Sequence, residues 1–191
     1  MIEEEAKMND GADMRREARL AGNFLLIANP AAGRGRAGER LPALLEALRQ
    51  SGARAEGRVT RRPGDAVELA RNAAAAYDCV AAVGGDGTTN EVASGLLLAA
   101  EPRAALGIVP FGTGNDAAQL LGIRSSATAL AVLTRGRVRR LDAIEVRCQS
   151  DDGAVTRYGL LFAAAGFADE LLRQTSPPVK HWFGPRYCYS V

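Results

Sequence analysis

The feature that most constrains the fold is an alternation of short apolar runs and helix-forming segments between residues 24 and 136. Apolar runs bounded by turn-forming residues predict buried strands, and leucines or alanines at helical spacing predict amphipathic helices. Strands that alternate with helices need crossover connections, which produce a parallel sheet covered on both faces. The sequence therefore predicts an α/β fold. The predicted strands are 24–28, 53–60, 78–83 and 105–111, and the predicted helices are 38–52, 64–77, 88–100, 115–122 and 125–136.

The pattern changes after about residue 137. Two strand-like runs, RVRRLDAIEVRC and AVTRYGLLFAAA, flank the turn-forming stretch QSDDG. This arrangement predicts an antiparallel hairpin at the start of a second, β-rich lobe. We expect three regions: a charged, mobile tail at 1–22, an α/β domain at 23–136 and an incomplete β-rich lobe at 137–191.

Composition excludes several classes of protein. The net charge of +2, from 24 basic and 22 acidic residues, argues against a dedicated nucleic-acid binder. The three cysteines form no C-x-x-C pair, so neither a zinc site nor a disulfide framework is indicated, and a reducing cytoplasm fits. No apolar run reaches the roughly 18–20 residues that span a bilayer. The stretch from Met14 looks like a signal peptide, but Asn23 and Pro30 interrupt it, and we interpret it as a buried strand.

The stretch NPAAGRGRAG contains a literal G-x-G-x-x-G between a strand and a helix. A dinucleotide-binding fingerprint places its first glycine at the strand end and an acidic residue at the end of the next strand. Here NPAA separates the strand from Gly33, and Glu56 lies within the second strand rather than at its end. We therefore interpret the stretch as a glycine-rich connection in which Arg34 and Arg36 either are exposed or touch a phosphate.

A second glycine-rich stretch, VAAVGGDGTTNEV, carries more information. A strand runs directly into GGDG, and a helix is predicted to start at Thr88 or Thr89. Glycines let the backbone approach a ligand, and amide groups at a helix N-terminus bind anions. The carboxylate of Asp86 would repel a polyphosphate unless it holds Mg2+ or accepts a proton from an attacking hydroxyl. This combination favours phosphoryl transfer.

The next strand ends in the same way, in GIVPFGTGND. Thr113 is a candidate phosphate donor there, and Asp116 either caps the following helix or assists a metal. Two such turns at neighbouring strand ends predict one phosphate site. The P-loop pattern and G-x-S-x-G are absent from the sequence, and the single histidine, His181, is interpreted as a surface residue.

NPAAG, VGGDGTTNEV and PFGTGND, in this order and spacing, resemble the diacylglycerol kinase catalytic domain family, which includes bacterial lipid kinases and sphingosine kinases. The likeness covers about residues 23–175. It implies a parallel-sheet nucleotide-binding lobe at 23–136, like that of NAD kinase, followed by a β-sandwich lobe. It also implies transfer of the ATP γ-phosphate to a lipid hydroxyl with Mg2+.

The resemblance also implies which residues form the site. Three carboxylates match acidic positions near the metal and the reacting groups: Asp86, Asp116 and Asp142. The matches to nucleotide-binding positions are Asn29, Thr60, Gly84, Gly85, Asp86, Gly87, Thr88, Thr89, Asn90 and Thr113. No metal ligand set is assigned.

One departure from the family concerns catalysis. The family's acidic base and its structural Mg2+ site lie in a later β-rich region, so we expect the chain to be truncated before them. A nucleotide-binding fragment without catalysis is therefore the first alternative, and a NAD kinase is the second, because that family shares GGDGT. A lipid substrate implies contact with the inner membrane face, for which Arg34, Arg36, Arg61 and Arg62 are candidates. The incomplete lobe is also expected to favour self-association.

Overall fold

The computed structural model describes residues 18–19, 22–135, 137–150 and 153–161. The strands are β1 (Ala18–Arg19), β2 (Asn23–Ala28), β3 (Arg54–Val59), β4 (Cys79–Gly84), β5 (Ala105–Pro110), β6 (Arg137–Val138), β7 (Ile144–Ser150) and β8 (Gly153–Gly159). The helices are α1 (Arg36–Gln50), α2 (Asp65–Ala73), α3 (Asp86–Leu97), α4 (Asp116–Leu120) and α5 (Ser126–Arg135).

Four parallel strands form the central sheet, in the order β3-β2-β4-β5. β4 is buried along its whole length and β2 along all but its first residue. These two strands are continuous apolar runs because helices cover both faces of a parallel sheet. The predicted α/β class and all four predicted strands are confirmed. All four carboxyl ends point to the same edge of the sheet, where the site lies.

Side chains of β2 show how the core is divided by the sheet. Leu26 packs with α1, α4 and α5 on one face, while its neighbour Ile27 packs with α2 and α3 on the other. Both side chains are fully buried, at 0% exposure. Because successive strand residues point to opposite faces, one strand holds both apolar layers together.

Helix α3 contacts the backbone of α2 at Gly95. A Cβ at this position would collide with the Val67 carbonyl oxygen and lie 2.8 Å from the Ala70 Cβ. The α2 surface beneath it consists of alanines. Small residues on both helices therefore allow close contact, which fixes where α3 runs across the sheet.

The helix ends mostly follow their sequence signals. Gly52 has φ +90°, and the Ala53 N–H bonds back to the Leu48 carbonyl at 3.2 Å, which is the glycine-type end predicted for α1. The prediction for α3 was wrong at its start, because the helix begins at Asp86 rather than Thr88 or Thr89. Gly85 and Gly87, the second and third glycines of GGDG, therefore belong to the N-cap and the first turn of α3.

The hairpin predicted around QSDDG is confirmed, with β7 and β8 paired antiparallel and Glu145 opposite Tyr158. Ala18–Arg19, inside the stretch expected to be a tail, pairs with Arg137–Val138. The rest of that stretch, apart from Gly22, lies outside the described residues, as do residues 162–191 with His181 and Cys188. The division at residue 136 stays a prediction.

Candidate functional site

A cleft of about 390 Å³ opens at the carboxyl ends of β2, β3 and β4. It is bounded by the loop after β2, the loop after β3 and the first turn of α3. Four residues predicted to bind nucleotide line this cleft: Asn29, Thr60, Gly87 and Thr88. Ligand sites in open parallel sheets lie at this edge, and the cleft is within the usual size range for small-molecule sites.

The turn between β4 and α3 is held by contacts between backbones. A Cβ at Gly85 would lie 3.1 Å from the Gly112 Cα, and one at Gly112 would collide with the Gly85 Cα. A Cβ at Gly84 would lie 2.5 Å from the Thr88 hydroxyl oxygen. These three positions therefore need glycine for packing, which brings the turns after β4 and β5 against each other.

The first turn of α3 presents amide groups and a hydroxyl. Thr89 is the first residue whose N–H bonds back, to the Gly85 carbonyl at 3.0 Å, and its hydroxyl donates to the same oxygen at 3.1 Å. The preceding amides lie where a helix leaves its N–H groups without intrahelical acceptors. Thr88, in contrast, lines the cleft. A negative ligand in the cleft would face Thr88 and the positive end of α3.

Two carboxylates lie beside Gly114, near the entry of α3. The Asp86 Oδ1 accepts the Ala117 N–H at 3.1 Å, so this side chain caps the start of α4. The Asp86 Oδ2 and the Asp116 Oδ1 lie 3.2 Å and 3.4 Å from the point where a Cβ on Gly114 would be. Only a glycine leaves this space open between them. The fold thus brings together two of the three predicted catalytic residues.

The Asn115 side chain holds the turn after β5 and does not cap α4. Asn115 has φ +57°, its Oδ1 accepts the Gly112 N–H at 2.7 Å, and its Nδ2 donates to the Gly112 carbonyl at 2.8 Å. It occupies the N-cap position of α4 but makes no side-chain bond to that helix. Thr113 is exposed within this turn and does not line the cleft.

The loop after β2 supports the interpretation of GRGRAG as a connection. Asn29 begins it by accepting the Ala31 N–H on Oδ1 at 3.0 Å, and Gly33, Arg34 and Gly35 all have positive φ. A Cβ at Gly33 would lie 2.7 Å from the Phe111 carbonyl oxygen, so the loop rests on the turn after β5. Neither Arg34 nor Arg36 lines the cleft, and Arg36 donates to the Gly33 carbonyl at 2.9 Å.

The loop after β3 is held by carboxylates. Asp65 accepts the Arg61 N–H at 2.7 Å and pairs with the Arg62 side chain at 3.0 Å. Glu91 of α3 accepts the Gly64 N–H at 3.1 Å and lines the cleft, a role that the sequence analysis missed. The signal was available, since Glu91 follows Gly87 by four residues and lies on the same helix face.

Several predicted site residues do not line the cleft, among them Asn90 and Asp142. Asn90 does not line it, and its amide donates to the Tyr158 carbonyl of β8 at 3.0 Å. Asp142 is exposed between β6 and β7, and its neighbours Leu141 and Ala143 line a different cavity of about 400 Å³. That cavity is apolar and includes Cys79 and Ala105 at the amino ends of their strands. It lies at the opposite edge of the sheet from the cleft.

The comparisons with known proteins agree with this geometry. The family model named Diacylglycerol kinase catalytic domain matches residues 23–146, which include the central sheet and the cleft. The chain belongs to this family. A protein of Chromohalobacter salexigens named "Probable lipid kinase YegS-like" is 40% identical over 151 residues. A diacylglycerol kinase of Staphylococcus saprophyticus is 33% identical over 175 residues.

The matched relatives are longer proteins. The two alignments cover 76% and 90% of this chain but 46% and 52% of the relatives, so the chain spans about half their length. A crystal structure of a diacylglycerol kinase from Bacillus anthracis str. Sterne superposes with a TM-score of 0.54 at 29% identity. The superposition covers 69% of this chain and 47% of the Bacillus anthracis chain, which supports the fold described above.

The described residues contain neither a membrane-spanning helix nor a metal-binding group of three side chains. None of the described helices is long and apolar enough to cross a membrane. In the same residues, histidines, cysteines and acidic side chains form no group of three that could hold a metal ion by itself. The pair Asp86 and Asp116 falls one short of such a group.

Proposed function

We propose that the chain is the nucleotide-binding part of a lipid kinase, which transfers the γ-phosphate of ATP to a lipid hydroxyl. The observation that carries the proposal is the cleft at the strand ends, with the N-terminus of α3 on one wall, in a member of this family. Helix N-termini and hydroxyl groups bind phosphate, and the cleft volume of about 390 Å³ suits a nucleotide's phosphates and sugar better than a whole lipid.

The residues that line the cleft would each contact a different part of ATP. Open space lies in front of Gly87, because a Cβ there would have no neighbour within 4 Å. Thr88 donates its hydroxyl, and Thr60 and Asn29 complete the walls formed by the neighbouring loops. Arg61 is the cation of the cleft without an ion pair among the described residues, whereas Arg62 pairs with Asp65 and Glu68. Arg61 is therefore free to face a phosphate.

The pair Asp86 and Asp116 lies beside the α3 entry, outside the residues that line the cleft, and its carboxylates are the ligand type that Mg2+ takes when it arrives with ATP. Mg2+ in kinases is commonly held by one or two carboxylates together with the substrate phosphates, so a third protein ligand is not required. When bound, Mg2+ would neutralise phosphate charge. The Asp86 Oδ1 is used by the Ala117 N–H, which leaves Oδ2 directed toward the gap at Gly114. Asp142 stays a predicted catalytic residue outside this pair.

A lipid substrate would be met at a membrane surface, on the cytoplasmic side. The arginines proposed for headgroup contact are exposed at the loops after β2 and β3: Arg34, Arg36, Arg61 and Arg62. Their position at the edge of the sheet that holds the cleft supports this part of the proposal. Self-association and the absence of nucleic-acid binding stay predictions.

The first experiment measures Mg-ATP affinity by calorimetry for the wild type and Thr88→Val. We expect the variant to bind about tenfold more weakly, because it loses one charge-assisted hydrogen bond at nearly constant side-chain volume. The matched control is Thr134→Val, since that hydroxyl bonds only to the carbonyls of Leu130 and Ala131 on the exposed side of α5. Equal affinities for all three proteins would place the nucleotide elsewhere.

A second assay tests catalysis. Labelled γ-phosphate from ATP should appear in a lipid when Mg2+ and a total lipid extract are supplied, and Asp86→Asn should reduce transfer at least a hundredfold. Binding of Mg-ATP without transfer would favour the non-catalytic alternative. Transfer to NAD instead would favour the NAD kinase alternative.

A further inference from the structure

Helix α3 makes a polar contact with the hairpin that has no part in the cleft. The Asn90 Nδ2 donates to the Tyr158 carbonyl at 3.0 Å, and the Ser94 hydroxyl donates to the same oxygen at 3.3 Å. A backbone carbonyl has two lone pairs, so two donors satisfy it completely. The contact bridges 68 residues of sequence for Asn90 and 64 for Ser94.

The two donors belong to the same broad stripe of α3 as the cleft residues, because Gly87, Asn90, Glu91 and Ser94 follow helical i, i+3, i+4, i+7 spacing. Asn90 and Glu91 form opposite borders of this stripe, since consecutive side chains point about 100° apart around the helix axis, and only Glu91 of the two lines the cleft. The side chain of Ser94 is 7% exposed and lies one turn further from the glycine-rich entry. Neither Asn90 nor Ser94 is among the residues lining the cleft.

The segment after Tyr158 continues from this contact into the first domain. Leu161 packs against the core layer that contains Leu26, and Leu160 lines the apolar cavity beside β5. The Tyr158 carbonyl is thus the point where β8 is tied to the helix that begins at the phosphate turn. The Tyr158 hydroxyl also donates to the Glu145 carboxylate at 2.9 Å, a side-chain bond between β8 and β7.

We propose that Asn90 and Ser94 form a clamp that holds β8 on α3, and that Asn90 is a positioning residue rather than a nucleotide ligand. The effect of the clamp on catalysis rests on the proposed function, because the clamp would then hold the second lobe in position relative to the bound phosphate. The clamp itself consists of the two hydrogen bonds between α3 and the Tyr158 carbonyl of β8.

The test compares Asn90→Ala and Ser94→Ala in the full 191-residue chain. Without nucleotide, we expect the amides of Thr156–Gly159 to exchange hydrogen about fivefold faster in each variant, the effect of losing one hydrogen bond of ordinary strength. Ser94→Thr keeps a hydroxyl and should restore the wild-type rate. Unchanged exchange in both alanine variants would overturn the clamp.

The second readout separates positioning from binding. We expect Mg-ATP affinity of Asn90→Ala to stay within about twofold of the wild type, while phosphate transfer falls about tenfold with KM for ATP unchanged. A tenfold loss of affinity in Asn90→Ala but not in Ser94→Ala would make Asn90 a ligand and overturn the proposal. If the wild type binds no Mg-ATP, the proposed function fails, whereas the exchange result still decides the clamp.

Discussion

Gly112 shows how one residue can determine the geometry of two loops. Its missing side chain lets the turn after β5 rest on the Gly85 Cα, and no flexible side chain is available to yield. We expect Gly112→Ala to lower the free energy of unfolding by about 2–3 kcal/mol, as overpacked core sites do. Urea unfolding followed by circular dichroism measures this change.

The matched control for Gly112→Ala is Gly87→Ala. A Cβ at Gly87 meets nothing within 4 Å, and alanine favours a helix over glycine by up to about 1 kcal/mol. This variant should be as stable as the wild type or slightly more so. Equal destabilisation by both substitutions would mean that general glycine replacement, rather than the contact between the two turns, is the cause.

Cys79 gives a pH dependence whose sign follows from burial. Removal from water raises the pKa of its thiol to about 12, and the negative charge of Asp78 acts in the same direction. The folded state therefore keeps the proton at a pH where the unfolded chain, with a thiol pKa near 9.0, releases it. The stability contributed by this thiol is complete below about pH 9 and is lost as the pH rises toward 12.

The measurement compares urea unfolding of the wild type and Cys79→Ala between pH 8 and pH 10.5. Above pH 9 the wild type should lose about 1.4 kcal/mol per pH unit more than the variant. Tyrosines titrate in both proteins, so their effect cancels in the difference. Parallel curves would show that the folded protein lets Cys79 ionise normally.

At the scale of elements, the crossing of α2 and α3 depends on Gly95. Alanine at this position would press on the Val67 carbonyl and the Arg71 amide nitrogen, which lies 3.0 Å from the added Cβ. We expect Gly95→Ala to destabilise the fold by about 2–3 kcal/mol and to weaken Mg-ATP binding, because α3 must move together with its N-terminus. Calorimetry and urea unfolding on the same sample measure both effects.

The control for Gly95 is Leu97→Ala, on the same helix. The Leu97 side chain is 43% exposed, so its truncation leaves the crossing and the helix entry in place. We expect a change in stability below about 1 kcal/mol and no change in affinity. If Gly95→Ala weakened the fold but left Mg-ATP affinity intact, the position of α3 would matter less to the cleft than proposed.

The elements also show what the sequence could and could not predict. The four strands, their parallel arrangement and the edge of the sheet that holds the cleft followed from the sequence pattern, because buried parallel strands are continuous apolar runs with glycine-rich turns at their ends. The order of the strands in the sheet was not predicted. The two-residue pairing of β1 with β6 is too short to leave a periodic signal. The bond from Asn90 to Tyr158 joins positions 68 residues apart, and nothing local in TTNEV distinguishes it from a ligand contact.

For the whole molecule, the central sheet makes the two core layers depend on one another. Leu26 belongs to the layer with α1 and α5, and Ile27 to the layer with α2 and α3, yet they are adjacent in β2. We expect Leu26→Ala and Ile27→Ala each to cost about 3 kcal/mol, since both side chains are completely buried. Each should lower the midpoint of one shared unfolding transition.

We expect a single unfolding transition because both core layers pack on the same four-stranded sheet. Loss of either layer exposes one face of the four strands on which the other layer also packs, so we expect the second layer to unfold with the first. Hydrogen exchange should therefore show the amides of α1 and α3 opening together at the global free energy in both variants. If Ile27→Ala released α2 and α3 while α1 stayed protected, the two layers would unfold as separate units. The contacts of α3 with β8 would then be formed only while its own layer is intact.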